Sequence, residues 1–218
     1  DASDGMFQQL LEHAVACINM DSSVFNIERP LSVNAHPLLH SLFREVARAI
    51  PDPRSGKPLY DVWVAQQNEY RTTPSVDGWD ALFDPSKELE EPYVFSSPSD
   101  DAAPFFHQLA LPASDMYYGA DYGMYHSIYE NFHWMKTVVD PTFEYHILMA
   151  KLQGFAALRL ANADVIPFDF ANEARLWKRT YSELEMKPET KDIALRLIDQ
   201  WQKEADTLFA LAAWEIWK

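Results

Sequence analysis

AVACINMD, residues Ala14 to Asp21, decides how the rest of the chain reads. It is a short apolar run that ends in Asn19, Met20 and Asp21, the texture of a buried strand meeting a loop at its carboxyl end. Working outward, residues 29–35 (RPLSVNA) alternate enough for a second strand at a sheet edge. Pro37 then occupies a first-turn position ahead of Leu38, Leu39, Leu42, Phe43, Val46 and Ile50, whose spacing predicts a helix that Pro51 and Pro53 stop. Residues 52 to about 98 are rich in Pro, Ser, Asp and Gly and predict a long, partly irregular excursion with brief apolar stretches such as LYDVWV. Residues 100–109 predict a helix with Asp100 and Asp101 in its first turn, and 112–118 (PASDMYY) a further alternating strand. A long helix follows Asp140-Pro141, with Phe143, Ile147, Ala150, Gly154, Ala157 and Ala161 forming a stripe of small residues that implies close packing. Beyond Pro167 the pattern is helical only, about 170–185 and 189–216, and the second helix carries Ile193, Leu197, Trp201, Ala205, Leu208 and Ala212 on one face. Strand and helix intermixed, then helix alone, predict an α/β domain with a helical appendage.

Composition narrows the function. Over 218 residues, 48% apolar and 23% charged residues describe a packed globular chain. The 33 Asp and Glu against 18 Lys and Arg leave a formal charge of −15, which gives no electrostatic footprint for nucleic acid or anionic lipid. No apolar run approaches the roughly 20 residues of a membrane span. The opening DASDGMFQQL lacks an initiator Met and the pattern of a leader peptide, so an internal or processed start is expected. The single Cys, Cys17, excludes an internal disulfide framework and a thiolate-only metal site. There is no Asn-X-Ser/Thr sequon, Walker loop, dinucleotide glycine pattern or serine elbow around Ser22 and Ser23. The compartment stays open.

Two segments carry candidate chemistry. Asp21, in Asn19-Met20-Asp21-Ser22-Ser23, follows a strand at the place where open α/β sheets build their sites. It suits a metal ligand, an acid or base, or simply a cap on the following turn. His126, in Tyr122-Gly123-Met124-Tyr125-His126-Ser127-Ile128-Tyr129-Glu130, lies among aromatic and acidic residues and suits a zinc ligand or a hydrogen-bonded structural imidazole. His36 and His40 stand at helical spacing but lack the Glu of a zinc-peptidase helix motif. His107, His133 and His146 read as packing or surface residues, and Lys87–Glu91 (KELEE) as a solvated loop.

Four stretches taken together, VACINMDSS, SDDAAPFFHQLALPASD, YGMYHSIYENF and DPTFEYHILMAKLQGFAALRLANADVIPFDF, resemble the glutamate carboxypeptidase II and transferrin-receptor family of zinc peptidases. They run in order from about residue 14 to 170. The resemblance implies a mixed β-sheet flanked by helices, of zinc-exopeptidase type. Residues 1–168 would form the carboxyl-terminal part of the α/β domain, and 169–218 the start of a helical dimerisation domain. It implies two zinc ions, with Asp21 a ligand of one, His126 a ligand of the other, and Tyr125 on the carboxylate side of a peptide substrate. It also implies homodimers, and full-length proteins often anchored in a membrane with the catalytic part outside the cytoplasm.

The remaining family ligands (a His, a bridging Asp and a Glu) and the general-base Glu precede the Asp21 strand in the family, and DASDGMFQQLLEH contains none of their motif. A fragment of a metallopeptidase, inactive as this isolated chain, is therefore the expectation. A non-catalytic receptor or sorting relative is the alternative. Members that cleave acidic dipeptides carry an arginine pair where this chain has Asp115 and Tyr117, and a glycine-rich turn where it has Ser97-Pro98-Ser99-Asp100-Asp101. The expectation at that subsite is thus a neutral or basic substrate residue.

Overall fold

The computed structural model describes residues 6–71, 86–96, 100–119 and 123–216. Within them a three-stranded sheet runs in the order β1–β3–β2, from β1 (Cys17–Ile18), β2 (Leu31–Ala35) and β3 (Ala113–Tyr118). The sheet is mixed. Central β3 is parallel to β1 and antiparallel to β2, with Leu31 opposite Tyr118 and Ala35 opposite Ser114. The longer helices are α1 (Phe7–His13), α2 (His40–Ala49), α3 (Leu59–Tyr70), α4 (Ala103–Leu109), α5 (Glu144–Ala161), α6 (Phe170–Glu183) and α7 (Pro188–Ile216), with a short helical stretch, Phe132–Trp134 continued by Met135–Val139, ahead of α5. A short 3-10 turn, Pro37–Leu39, leads into α2.

Strand alternation sorts the sheet into two faces. Leu31, Val33 and Ala35 share one side with Met116 and Tyr118, and this side forms the core with Leu42, Phe43 and Val46 of α2, Leu59 and Trp63 of α3, and Tyr145, Met149 and Leu152 of α5. Ser32, Asn34, Ala113, Asp115 and Tyr117 share the other side, and α4 with its preceding turn Asp100–Ala102 packs on β3. Both faces are thus covered. This explains why β2 and β3 are buried almost throughout rather than alternately, against the half-exposed alternation that the sequence suggested.

Three expectations need correction. The buried strand of Ala14–Asp21 is only two residues long and half-buried, because it lies at the sheet's edge and its pairing is interrupted at once. The excursion after Pro51 contains the 12-residue helix α3, whose inner positions are Leu59, Trp63, Gln67 and Tyr70. A Gln among the inward residues blurred the apolar stripe; it is buried because its side-chain amide donates to the Tyr93 carbonyl (3.1 Å) and accepts from the Tyr93 amide (2.8 Å). Finally, the small-residue stripe of α5 is not the packed face: Ile147, Ala150, Ala157 and Ala161 are exposed, while Tyr145, Leu148, Met149, Leu152 and Ala156 are buried.

Local chemistry fixes the element ends. The Asp140 carboxylate, buried, accepts from the amides of Tyr145 (3.1 Å) and His146 (3.0 Å) at the start of α5, and pairs with His146 Nδ1 at 2.8 Å. It fills donors that the first helical turn leaves unbonded. α4 ends on Ala110 in the left-handed conformation (φ 50°), a position usually given to glycine. Gly119, at the end of β3, has φ 102°, and a Cβ there would lie 2.3 Å from the Asn26 carbonyl oxygen, so no other residue fits.

The helical hairpin α6–α7 packs on itself through Ala174, Ile198 and Ala205. It docks on the body by polar contacts. Asp169 bonds the Ser41 hydroxyl and the Leu38 carbonyl, Asn172 donates to the Pro37 carbonyl at 2.9 Å, and Glu173 stands 3.7 Å from His36. The expected face of α7 is mostly not packed within the chain: Ile193, Leu197 and Leu208 are exposed, and Ala212 lies among side chains outside the described set. Among the described residues no helix is long and apolar enough to cross a membrane.

Candidate functional site

Because β1 and β3 are parallel, the segments that follow them leave the sheet at the same edge, the place where α/β sheets commonly hold their ligands. Tyr125–His126 come after β3, and Asp21 comes after β1, before the chain rejoins β3 at Val24 opposite Tyr118. The contact between the two segments is aromatic: the Phe25 ring meets Tyr117 of β3 at 5.4 Å and the edge of Tyr125 at 5.8 Å.

Asp21 sits on an interruption of the ladder. The register moves from Ile18 opposite Ser114 to Val24 opposite Tyr118, so two extra residues arch out between these points. Asn19 N still donates to the Ser114 carbonyl (2.8 Å), and Phe25 N to that of Tyr118 (2.9 Å). An unbroken ladder would offer the Met116 carbonyl to the amide of Asp21. The bulge removes it, and the Asp115 side chain takes its place: Oδ1 accepts from Asp21 N at 3.4 Å and from Asn19 Nδ2 at 3.1 Å. The Asp21 side chain is left exposed at the crest.

His126 is also exposed, at a left-handed φ of 58°. Its amide donates to Glu130 Oε2 (2.9 Å), and its ring stacks on Tyr125 at 3.8 Å. Tyr122 lies outside the described residues, as do Ser97, Pro98 and Ser99 of the turn compared with the family's glycine-rich one. Ile128, Tyr129 and Phe132, just beyond His126, are strongly exposed.

Asp115 does not present its charge to a subsite as the sequence suggested. It is 1% exposed, and its carboxylate serves the Asn19–Asp21 arch. Burial raises its pKa, the Asp21 amide bond opposes that rise, and nearby Asp100 adds to it. Tyr117 is engaged with Phe25. The repulsion argument for a neutral or basic substrate residue therefore loses its basis. The signal for this role lay in the bulge, which single-strand patterning does not reveal.

The other histidines have local partners. His40 bonds the Ala35 carbonyl (3.1 Å), and burial lowers its pKa to about 4. His36 accepts from Leu38 N with Nδ1 and faces Glu173 with Nε2; burial lowers the His36 pKa and raises that of Glu173. The two imidazoles thus have separate partners.

As to zinc, a carboxylate and an imidazole are donors of the right kind. Among the described residues, however, no group of three or more His, Cys, Asp or Glu side chains is placed to hold a metal ion. The chain's own donors fit zinc in kind and not in number.

A small mixed sheet flanked by helices, with a helical segment at its carboxyl end, makes this a mixed α/β protein. No family profile matches the chain. Curated proteins do. It is 28% identical over 179 residues to "Probable glutamate carboxypeptidase LAMP1" of Arabidopsis thaliana, covering 82% of this chain and 23% of that protein. It is 30% identical over 162 residues to "Probable glutamate carboxypeptidase AMP1" of the same plant, covering 74% and 20%. It is 27% identical over 179 residues to "Aminopeptidase NAALADL1" of Mus musculus, covering 78% and 22%. The chain belongs to this glutamate carboxypeptidase-like family. It spans about a fifth of the length of the curated relatives it matches.

Proposed function

We propose that this chain carries part of the active site of a zinc-dependent, glutamate carboxypeptidase-like exopeptidase. Asp21 would be a ligand of one ion of a dinuclear pair, His126 a ligand of the other, and Tyr125 would line the carboxylate side of the peptide. The observation that supports this reading is that the two segments touch: Phe25, four residues past Asp21, lies against Tyr125, the neighbour of His126, and both donors are exposed. Zinc held there would supply Lewis-acid activation for hydrolysis of a peptide bond. The chain's own residues hold the donors out to solvent, Asp21 on its bulge and His126 on its left-handed turn.

One protein bond to each ion falls short of the three or four usual for zinc. The isolated chain is therefore expected to bind zinc weakly and to hydrolyse no peptide. Calorimetric titration with zinc measures this directly, and tight stoichiometric binding would overturn it. For the full-length protein, anomalous scattering at the zinc edge is expected to place metal beside Asp21 and His126. Metal-free crystals grown in excess zinc would favour the non-catalytic, receptor-type alternative instead. We also propose that two copies pair through the exposed face of α7, where Ile193, Leu197 and Leu208 lie open.

A further inference from the structure

The bulge that raises Asp21 creates a difficulty that one side chain resolves. Looping out two residues leaves the Asp21 amide without the β3 carbonyl that a regular parallel ladder supplies. A backbone donor next to a buried strand needs a partner. The replacement comes from β3 itself: Asp115, 1% exposed on the central strand, receives the Asp21 amide and the Asn19 side-chain amide on one carboxylate oxygen. Around it the arch is pinned at both ends, at Asn19 N to the Ser114 carbonyl and Phe25 N to the Tyr118 carbonyl. Between these anchors, the Asp115 side chain reaches the crest from the sheet.

We propose that Asp115 is a positioning residue for the site. It substitutes for a missing rung of the ladder and so fixes the height and direction from which Asp21 meets its ligand. The inference rests on the reading of Asp21 as a metal ligand for its functional meaning, and on the hydrogen bonds alone for its mechanism. The essential property is the carbonyl-type oxygen rather than the negative charge. Asparagine should therefore replace Asp115, whereas alanine should not. Supporting residues of this kind commonly alter metal affinity by 10- to 100-fold.

The test uses the isotopically labelled chain with zinc alone as the probe. Asp115→Ala is expected to speed hydrogen exchange of the Asp21 amide at least tenfold, on the order expected when a local bond is lost, while the amides of β2 and α5 keep their rates. Asp115→Asn should restore slow exchange. Zinc should shift the Asp21 side-chain carboxyl resonance in the parent, at about tenfold higher zinc in Asp115→Ala, and near the parent concentration in Asp115→Asn. Unchanged Asp21 exchange in a folded Asp115→Ala chain overturns the proposal, and so does failure of asparagine to rescue. If the alanine variant does not fold, the parent chain decides. Deuterating the Asp21 amide must then produce an isotope shift at the Asp115 carboxyl carbon, and its absence overturns the proposal. Zinc that leaves Asp21 unshifted in the parent overturns the metal reading and with it the functional meaning of Asp115, whatever the exchange rates show.

Discussion

At the scale of single residues, buried histidine ties stability to acidity. His40 is almost wholly enclosed, and burial lowers its pKa from 6.5 to about 4. The unfolded chain therefore takes up the proton first as the pH falls through that interval. The contribution of neutral His40 is fully present above about pH 6.5 and is lost progressively down to about 4. Urea unfolding across this window should show a loss on the order of 2–3 kcal/mol from this group. His40→Gln should flatten that part of the pH profile, since an uncharged amide has no proton to gain. Residues of this sort are only partly legible in sequence. The spacing of His36 and His40 was visible, but their separate partners, Glu173 and the Ala35 carbonyl, come from distant or backbone groups. Asp115 illustrates the same limit: its identity is plain, but its role depends on a register shift in a neighbouring strand.

At the scale of elements, apolar periodicity was informative where apolar side chains dominate the face turned to the core. Leu42, Phe43 and Val46 marked α2, and the PASDMYY segment marked β3. It failed for α3, where Gln67 occupies an inward position. It misjudged the face of α5, because small residues resemble a packing stripe whether or not a neighbour covers them. Gln67 joins α3 to the segment around Tyr93 through two hydrogen bonds, at 3.1 and 2.8 Å. Gln67→Leu should retain most of the volume and lose both. A loss of about 1–3 kcal/mol is expected, read by chemical denaturation. Limited proteolysis should then cut first within residues 86–96, which the amide holds against the helix.

At the scale of the whole molecule, a charge of −15 opposes close approach of two copies, while the open apolar face of α7 favours it. Sedimentation velocity should therefore show pairing that strengthens with added salt, as screening weakens the repulsion. The double change Leu197→Asp and Leu208→Asp should abolish pairing while leaving the helical circular dichroism intact. An unchanged sedimentation profile would exclude this face as the contact.

Two backbone positions described above have opposite meanings for this molecule. Ala110 and His126 both adopt the left-handed conformation, at φ 50° and 58°, which costs a residue with a Cβ roughly 1 kcal/mol. Glycine at Ala110 should raise the melting temperature and sacrifice nothing, a gain still available to an engineer. Glycine at His126 should stabilise the fold to a similar extent, about 1 kcal/mol in thermal melts, but it deletes the imidazole. On the proposed reading of His126, the relaxed molecule would be sturdier at the expense of a zinc donor, a trade between fitness to fold and fitness to act.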